Sequence, residues 1–343
     1  FKFLNKEKSF LINDVDFSFK QYGLLWLYNL NYFNWLMQEE LDYNMGLKVL
    51  KSYYSNNKNS ISYEPYPLSL RVFNIIKFFC QNRKFDSQII DFIYTDLKYL
   101  EKRIEWHLMA NHLLENLISL YVGFEFIGDK KLSNKYFNLL IEQLKEQILK
   151  DGMHFERSPM YNLIVYEKII DTLNFTKNSD NKEELMKYAI RMTKFLLNIR
   201  TLNRIPMMQD SAYLNSITLN DLLIYSKRIL KESFPKNKSK LNDSGYRILS
   251  NTTGLVLFAN VGEINPDYQP GHSHSDELNF ELFFNGNPII VETGTSTYTN
   301  NHRRAHERST LAHNCVSINK MNSSDVWSSF RVGKRANINL KRD

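Results

Sequence analysis

Apolar residues recur at three- and four-residue intervals through most of the chain, and at two-residue intervals toward its end. Leu70, Phe73, Ile76 and Phe79 form a helical stripe behind a Pro65 and Pro67 breaker. The same spacing continues over 89–100 and 113–126, and then through Leu132, Tyr136, Leu139, Leu140 and Leu144 as far as Asp151-Gly152. It predicts further helices over 160–173, 183–199 and 219–230, and an aromatic-rich one over 22–36 that carries Trp26, Tyr28, Tyr32, Phe33 and Trp35. The stretch 234–243, with Pro235 and several Lys, Asn and Ser, reads as a linker. Beyond it, 246–249 and 253–259 have strand texture, and 278–284 with 289–292 form a hairpin around Asn285-Gly286.

These elements predict a helical domain over 1–235 and a β domain over 236–343. Consecutive helices with short polar connections stack as helical hairpins, in either a solenoid or a closed α/α toroid. Periodicity alone does not choose between them. The β part is short and ends in strand-like sequence, so the chain is expected to stop inside a larger sheet domain, and Phe1 in place of Met suggests a missing start.

A length of 343 residues favours two domains. No run of 18 apolar residues occurs, so no membrane span is predicted. The net charge of +7, from 44 basic and 37 acidic residues, favours an anionic partner such as an acidic polysaccharide. Nucleic acid is disfavoured, because there is no zinc finger, Gly-rich phosphate loop or concentrated basic helix. Cys80 and Cys315 lie far apart and carry neither a disulfide framework nor a zinc-thiolate motif. Compartment and oligomeric state stay open, with a periplasmic or secreted setting placed ahead of a cytoplasmic one.

Four segments carry chemistry. In Gly271-His272-Ser273-His274-Ser275-Asp276, an extended chain would put His272, His274 and Asp276 on one face, a set that can bind metal or move protons. In Asn111-His112-Leu113-Leu114-Glu115, helical spacing puts both Asn111 and His112 on a face with Glu115. Over 154–161, Ser158-Pro159 starts a helix and places Tyr161 in its first turn, beside His154, Glu156 and Arg157. The dense charge of Arg303, Arg304, His306, Glu307 and Arg308, followed by His313, reads as an anion clamp or a solvated surface. Gln209-Asp210-Ser211 and Pro65 to Arg71 are weaker signals.

This order of segments, with Val291-Glu292-Thr293-Gly294-Thr295 and Ala312-His313-Asn314, resembles the heparinase II/III-like polysaccharide lyases. The resemblance implies an incomplete α/α toroid followed by an antiparallel β-sandwich, and β-elimination at a bond 4-linked to a uronic acid. It implies that Asn111 and His112 meet the substrate carboxylate with Glu115 orienting them, and that Tyr161 and His272 share the roles of base and acid. Which of the two is the base depends on substrate stereochemistry. Candidates for substrate contact are Arg71, Glu115, Glu156, Arg157, Arg304 and Arg308.

The resemblance also implies a structural zinc held by His274, Glu292 and His313. A two-residue Asn285-Gly286 turn would set Glu292 opposite Asn279 and away from the histidines, whereas a three-residue loop ending at Asn287 would bring it round. Two rival functions remain: a hydrolase using paired carboxylates from among Glu115, Glu156 and Asp210, and a glycan-binding or surface-polysaccharide assembly protein without turnover.

Overall fold

The computed structural model describes residues 1–56, 61–199, 204–213, 217–231 and 241–341. The linker read over 234–243 lies outside the described residues as far as residue 240. The chain forms two compact units, Phe1–Glu142 and Gln143–Asp343.

In the first unit, a short hairpin of β1 (Lys2–Phe3) and β2 (Lys6–Glu7) precedes α1 (Leu24–Tyr32). Helix α2 (Tyr43–Asn56) carries no plain stripe in the sequence, because its apolar positions are interrupted by Asn, Lys and Ser. Helix α3 (Pro65–Asn82) begins at the prolines instead of behind them. Pro65 sits in the first turn, where its missing N–H leaves no hydrogen bond unmade. Helix α4 (Ser87–Glu101) is capped by the Asp86 carboxylate, which accepts from the Ile89 N–H at 3.2 Å. It turns Ile89, Ile93, Leu97 and Leu100 inward.

Both α3 and α4 pack on α5 (Ala110–Ile127), which is buried along almost its whole length. Gly123 admits Leu97 so closely that a Cβ there would stand 2.4 Å from Leu97 Cδ2. Helix α6 (Lys130–Gln147) follows.

In the second unit, α7 (Pro159–Phe175), α8 (Ser179–Ile199) and α9 (Leu219–Leu230) pack on one another. A four-stranded antiparallel sheet follows in the order β3 (Tyr246–Ser250), β4 (Leu255–Asn260), β5 (Phe280–Phe284), β6 (Asn287–Ile290). The short helix α10 (His302–Glu307) and a small hairpin, β7 (Val326–Trp327) with β8 (Arg331–Val332), complete the described chain. Residues 271–276 form no strand, but a turn and a bend with irregular chain between them, instead of the extended segment that their alternation suggested.

The β5–β6 hairpin settles the register question in a third way. Asn285 (φ 49°) and Gly286 (φ 77°) form the two-residue turn, and Phe284 pairs with Asn287. The register then slips between Phe283–Pro288 and Leu282–Ile290, a bulge that leaves Ile289 extra. Extended past the end of β6, this register would put position 292 opposite 280, as the longer loop would have placed it. Among the described residues, no helix is long and apolar enough to cross a membrane.

Candidate active site

The catalytic candidates fall into two groups, one in each compact unit. In the first unit, Asn111 and His112 open α5 directly after Met109 (φ 56°) and Ala110 (φ 50°). Two consecutive non-glycine residues in the left-handed region cost roughly 1–3 kcal/mol each, which the surrounding packing must offset. The His112 ring is partly exposed, lies 4.4 Å from the Tyr66 ring, and faces the Glu105 carboxylate through Nδ1 at 3.2 Å.

Glu105 therefore holds the His112 ring. Its own carboxylate is fixed by the Asn116 amide at 3.1 Å, and the Glu105 N–H donates to Asn116 Oδ1 at 2.9 Å. Helical spacing pointed to Glu115 because Glu105 comes from the preceding turn, where periodicity is silent. Asn111 and Glu115 are buried.

In the second unit, the organising group is the fully buried carboxylate of Asp210. Oδ2 faces His272 Nδ1 at 2.9 Å, and Oδ1 faces His274 Nε2 at 2.7 Å. The Arg304 guanidinium closes on both oxygens, with Nη2 at 2.7 Å from Oδ2. Burial alone would push the Asp210 carboxyl up, but hydrogen bonds from His272, His274 and Arg304 hold it well below the usual carboxylate range.

The backbone of the same loop fixes the other partners. The Asp210 carbonyl accepts from Ser158 Oγ at 2.8 Å, and Ser158 caps α7 by accepting from the Tyr161 N–H at 3.3 Å. The Ser211 hydroxyl accepts from the Met160 N–H at 3.2 Å. Gln209 accepts from the His274 N–H and donates to Asp276, each at 2.7 Å. Asp276 is thereby committed to holding this loop, and burial raises its carboxyl to about 7.

Tyr161 and His272 are brought together with their rings stacked 3.8 Å apart, and the Tyr161 hydroxyl donates to Tyr298 at 3.3 Å. The other ring nitrogen of His272 lies 3.6 Å from Glu156. Burial works against charge on His272, yet Glu156 and Asp210 together raise its pKa. His154, buried beside Glu156, is pushed down to about 4 by burial and stays neutral near pH 7.

His272 and His274 act on one group. Both rings hold the same carboxylate, one on each oxygen. What separates them is depth, since 12% of the His272 side chain is exposed and none of that of His274.

The arginines expected to meet substrate are committed within the protein. Arg304 and Arg308 lie four apart at α10 and share its inward face. Arg304 also donates to Ser329 O and Thr295 Oγ1. Arg308 donates to Ser273 O at 2.9 Å and to the carbonyls of Trp327 and Ser328. Arg157 binds the carbonyls of Glu263 and Asp243. Arg71, fully buried in the first unit, pairs with Asp96 at 3.0 Å. Of the predicted clamp, Arg303 and His306 remain exposed.

The His274 and His313 rings lie 5.2 Å apart, and His313 Nδ1 faces Glu292 Oε2 at 2.7 Å. His274 Nδ1 and His313 Nε2 are buried without a hydrogen-bond partner, which fits two imidazole ligands to one cation. Glu292 as placed holds the outer nitrogen of His313, the position of an orienting carboxylate. Among the described residues, no group of three or more His, Cys, Asp and Glu is gathered as a metal-holding cluster.

Gly294 (φ 65°) lets the segment after it reach the Asp210 loop, where the Thr295 N–H donates to Ser211 O at 2.9 Å. A Cβ at 294 would stand 2.0 Å from that same oxygen. Gly294→Ala is expected to destabilise the protein by at least ~1 kcal/mol, read as a lower denaturation midpoint. An unchanged midpoint would show that the loop yields freely.

Comparison with known proteins identifies the family and the fold. The family description Heparinase II/III N-terminus matches residues 20–240, and Heparinase II/III-like, C-terminal matches residues 235–343. A heparin-sulfate lyase of Bacteroides thetaiotaomicron is 25% identical over 243 residues, covering 58% of this chain and 34% of the relative. Among solved structures, heparinase III superposes with a TM-score of 0.69 at 17% identity, covering 85% of this chain and 55% of that one. The heparan sulfate lyase HepC from Pedobacter heparinus gives 0.57 at 16%, covering 87% and 54%.

The chain thus spans about a third of the curated relative's length and about half of the solved chains. The likeness to the solved structures carries the fold class, an incomplete α/α toroid followed by an antiparallel β-sandwich domain. With a family match extending over well more than half of its length, the protein belongs to the heparinase II/III family.

Proposed function

We propose that this protein is a polysaccharide lyase that cleaves an acidic, uronate-containing glycan by β-elimination. The observation that carries the reading is the stacked Tyr161–His272 pair fixed on Asp210, two proton-transfer groups side by side with their orientation imposed from beneath. Elimination needs a base to take the C5 proton and an acid to protonate the departing C4 oxygen. Tyr161 and His272 are the proposed pair. Because Asp210 takes up Nδ1, the nitrogen of His272 proposed to meet the reacting atoms is Nε2, which has Glu156 3.6 Å away.

As the C5 proton leaves, negative charge builds on the uronate carboxylate, and donors already in place stabilise it. Asn111 and His112 are the proposed donors, with Glu105 holding the His112 ring. The named activities of the relatives make heparin- and heparan-sulfate-type glycosaminoglycans the first substrates to try.

We further propose a structural zinc at His274 and His313, supported by their two unpartnered buried nitrogens, with Glu292 orienting His313. Such an ion would brace the ring that lies below His272.

The direct test is the ultraviolet absorbance of the unsaturated uronate formed from a panel of polyuronates. A hydrolase would release reducing sugar without that absorbance, and a binding protein would show affinity without turnover; either result overturns the reading. Asp210 is unsuited to a hydrolytic role, because both of its oxygens are occupied by His and Arg donors.

A further inference from the structure

A second feature of the first unit suggests where such a glycan is held away from the bond that breaks. An open surface pocket of about 550 Å³ is lined by Tyr63, Glu64, Tyr99 and Arg103. We propose that it is a subsite for one acidic sugar unit of the glycan, an inference that rests on the reading above for its glycan class.

The lining suits a pyranose in three respects. Tyr63 and Tyr99 meet edge to face at 5.7 Å, offering ring surface to the apolar C–H face of a sugar. Tyr99 stays 37% exposed. Glu64 accepts from the Tyr28 hydroxyl through Oε2 at 2.6 Å, which leaves Oε1 to accept from a sugar hydroxyl. The Arg103 guanidinium lies 5.2 Å from the Tyr99 ring centroid and donates one N–H to the Tyr99 hydroxyl. That contact orders the planar fork on a surface residue and leaves its remaining donors for a carboxylate or sulfate.

Two connections join this pocket to His112. Arg103 and Glu105 share the turn between α4 and α5, and Glu105 holds the His112 ring. A row of rings runs from the Glu64 partner Tyr28 to Tyr32 at 6.3 Å, to Tyr66 at 5.9 Å, and to His112 at 4.4 Å. An exposed cation over a ring contributes only ~0.5–1 kcal/mol, so Arg103 can trade this contact for a ligand at little cost.

The test is calorimetric titration of uronate-containing oligosaccharides, increasing by one repeat at a time, into a Tyr161→Phe background that does not consume them. Adding Arg103→Ala is expected to weaken binding of the longer members about tenfold, the order of one lost charge-assisted hydrogen bond, and to affect the shortest much less. Arg103→Lys, which keeps the charge but loses the fork, should fall between. Circular dichroism of each variant checks that the fold is retained.

A loss confined to sulfated oligosaccharides assigns Arg103 to a sulfate, and an equal loss on desulfated ones assigns it to a carboxylate; both support the subsite. Unchanged affinity at every length, or an equal loss at every length, overturns it. Product absorbance from the unmutated protein decides the elimination chemistry separately, so the subsite and the lyase reading can fail independently.

Discussion

Tyr161→Phe is expected to lower elimination activity by at least ~10³-fold, within the range that positioned proton transfer contributes. The change removes one oxygen. The ring stays stacked on His272, and the Ser158 cap that sets the start of α7 is untouched. The hydroxyl's bond to Tyr298 is long, at 3.3 Å, so its loss should move the denaturation midpoint little. Activity loss with unchanged stability, measured by unsaturated-product absorbance and thermal denaturation, separates a chemical role from packing. Retention of more than about a tenth of the activity would remove Tyr161 from the proton-transfer step.

Asp210→Asn should be nearly as damaging, for a different reason. The carboxylate accepts from two imidazoles and a guanidinium at once. An amide has one accepting oxygen and one donating nitrogen, so it cannot face all three donors. It would either turn an N–H toward Arg304 or reverse the tautomer of His272 and withdraw the proton from Nδ1. A loss of the order of 10²–10⁴ in kcat is expected, the upper figure matching the known effect of the same exchange behind a serine-protease histidine.

Stability should also fall, by roughly 3–5 kcal/mol, because Arg304 would be left as a buried charge without its counter-ion. Adding Arg304→Met to the Asp210→Asn variant removes that charge. If the double variant regains stability but not kcat, Asp210 orients His272; if kcat returns with stability, the role is structural.

The sequence disclosed the helices and the residues that bear the chemistry, but not their mutual support. The stripes over α3 to α9 were legible because each helix buries a face at the spacing of its own turns. Helix α2 was not, since Gly46, Val49, Leu50 and Tyr53 bury only a narrow strip in a polar segment. Tyr161 could be placed from Ser158-Pro159, a local signal that acts within one turn. Asp210 reaches His272 across 62 positions and Arg304 across 94, and no periodicity spans such distances.

The clue available was composition. Gln209-Asp210-Ser211 places three polar side chains directly after the apolar Pro206-Met207-Met208, which marks a polar group entering a core. Counting charge said nothing of where Arg304 and Arg308 point, whereas the 304–308 spacing puts both on one helical face. Glu105 was missed because a turn, not a helix, delivers it.

The bulge at Ile289 bears on how this site tolerates change in chain length. A tight turn with one extra residue beyond it and a longer turn with none would both put position 292 opposite 280. What the Glu292–His313 contact constrains is therefore the count of residues between Phe283 and Glu292, not where the surplus one is stored. Relatives could differ in the shape of this hairpin and keep the same contact, provided that a gain at the tip is matched by a loss along the strand. A lone insertion or deletion there would instead rotate the carboxylate to the opposite side of the strand while leaving every side chain in the segment chemically intact.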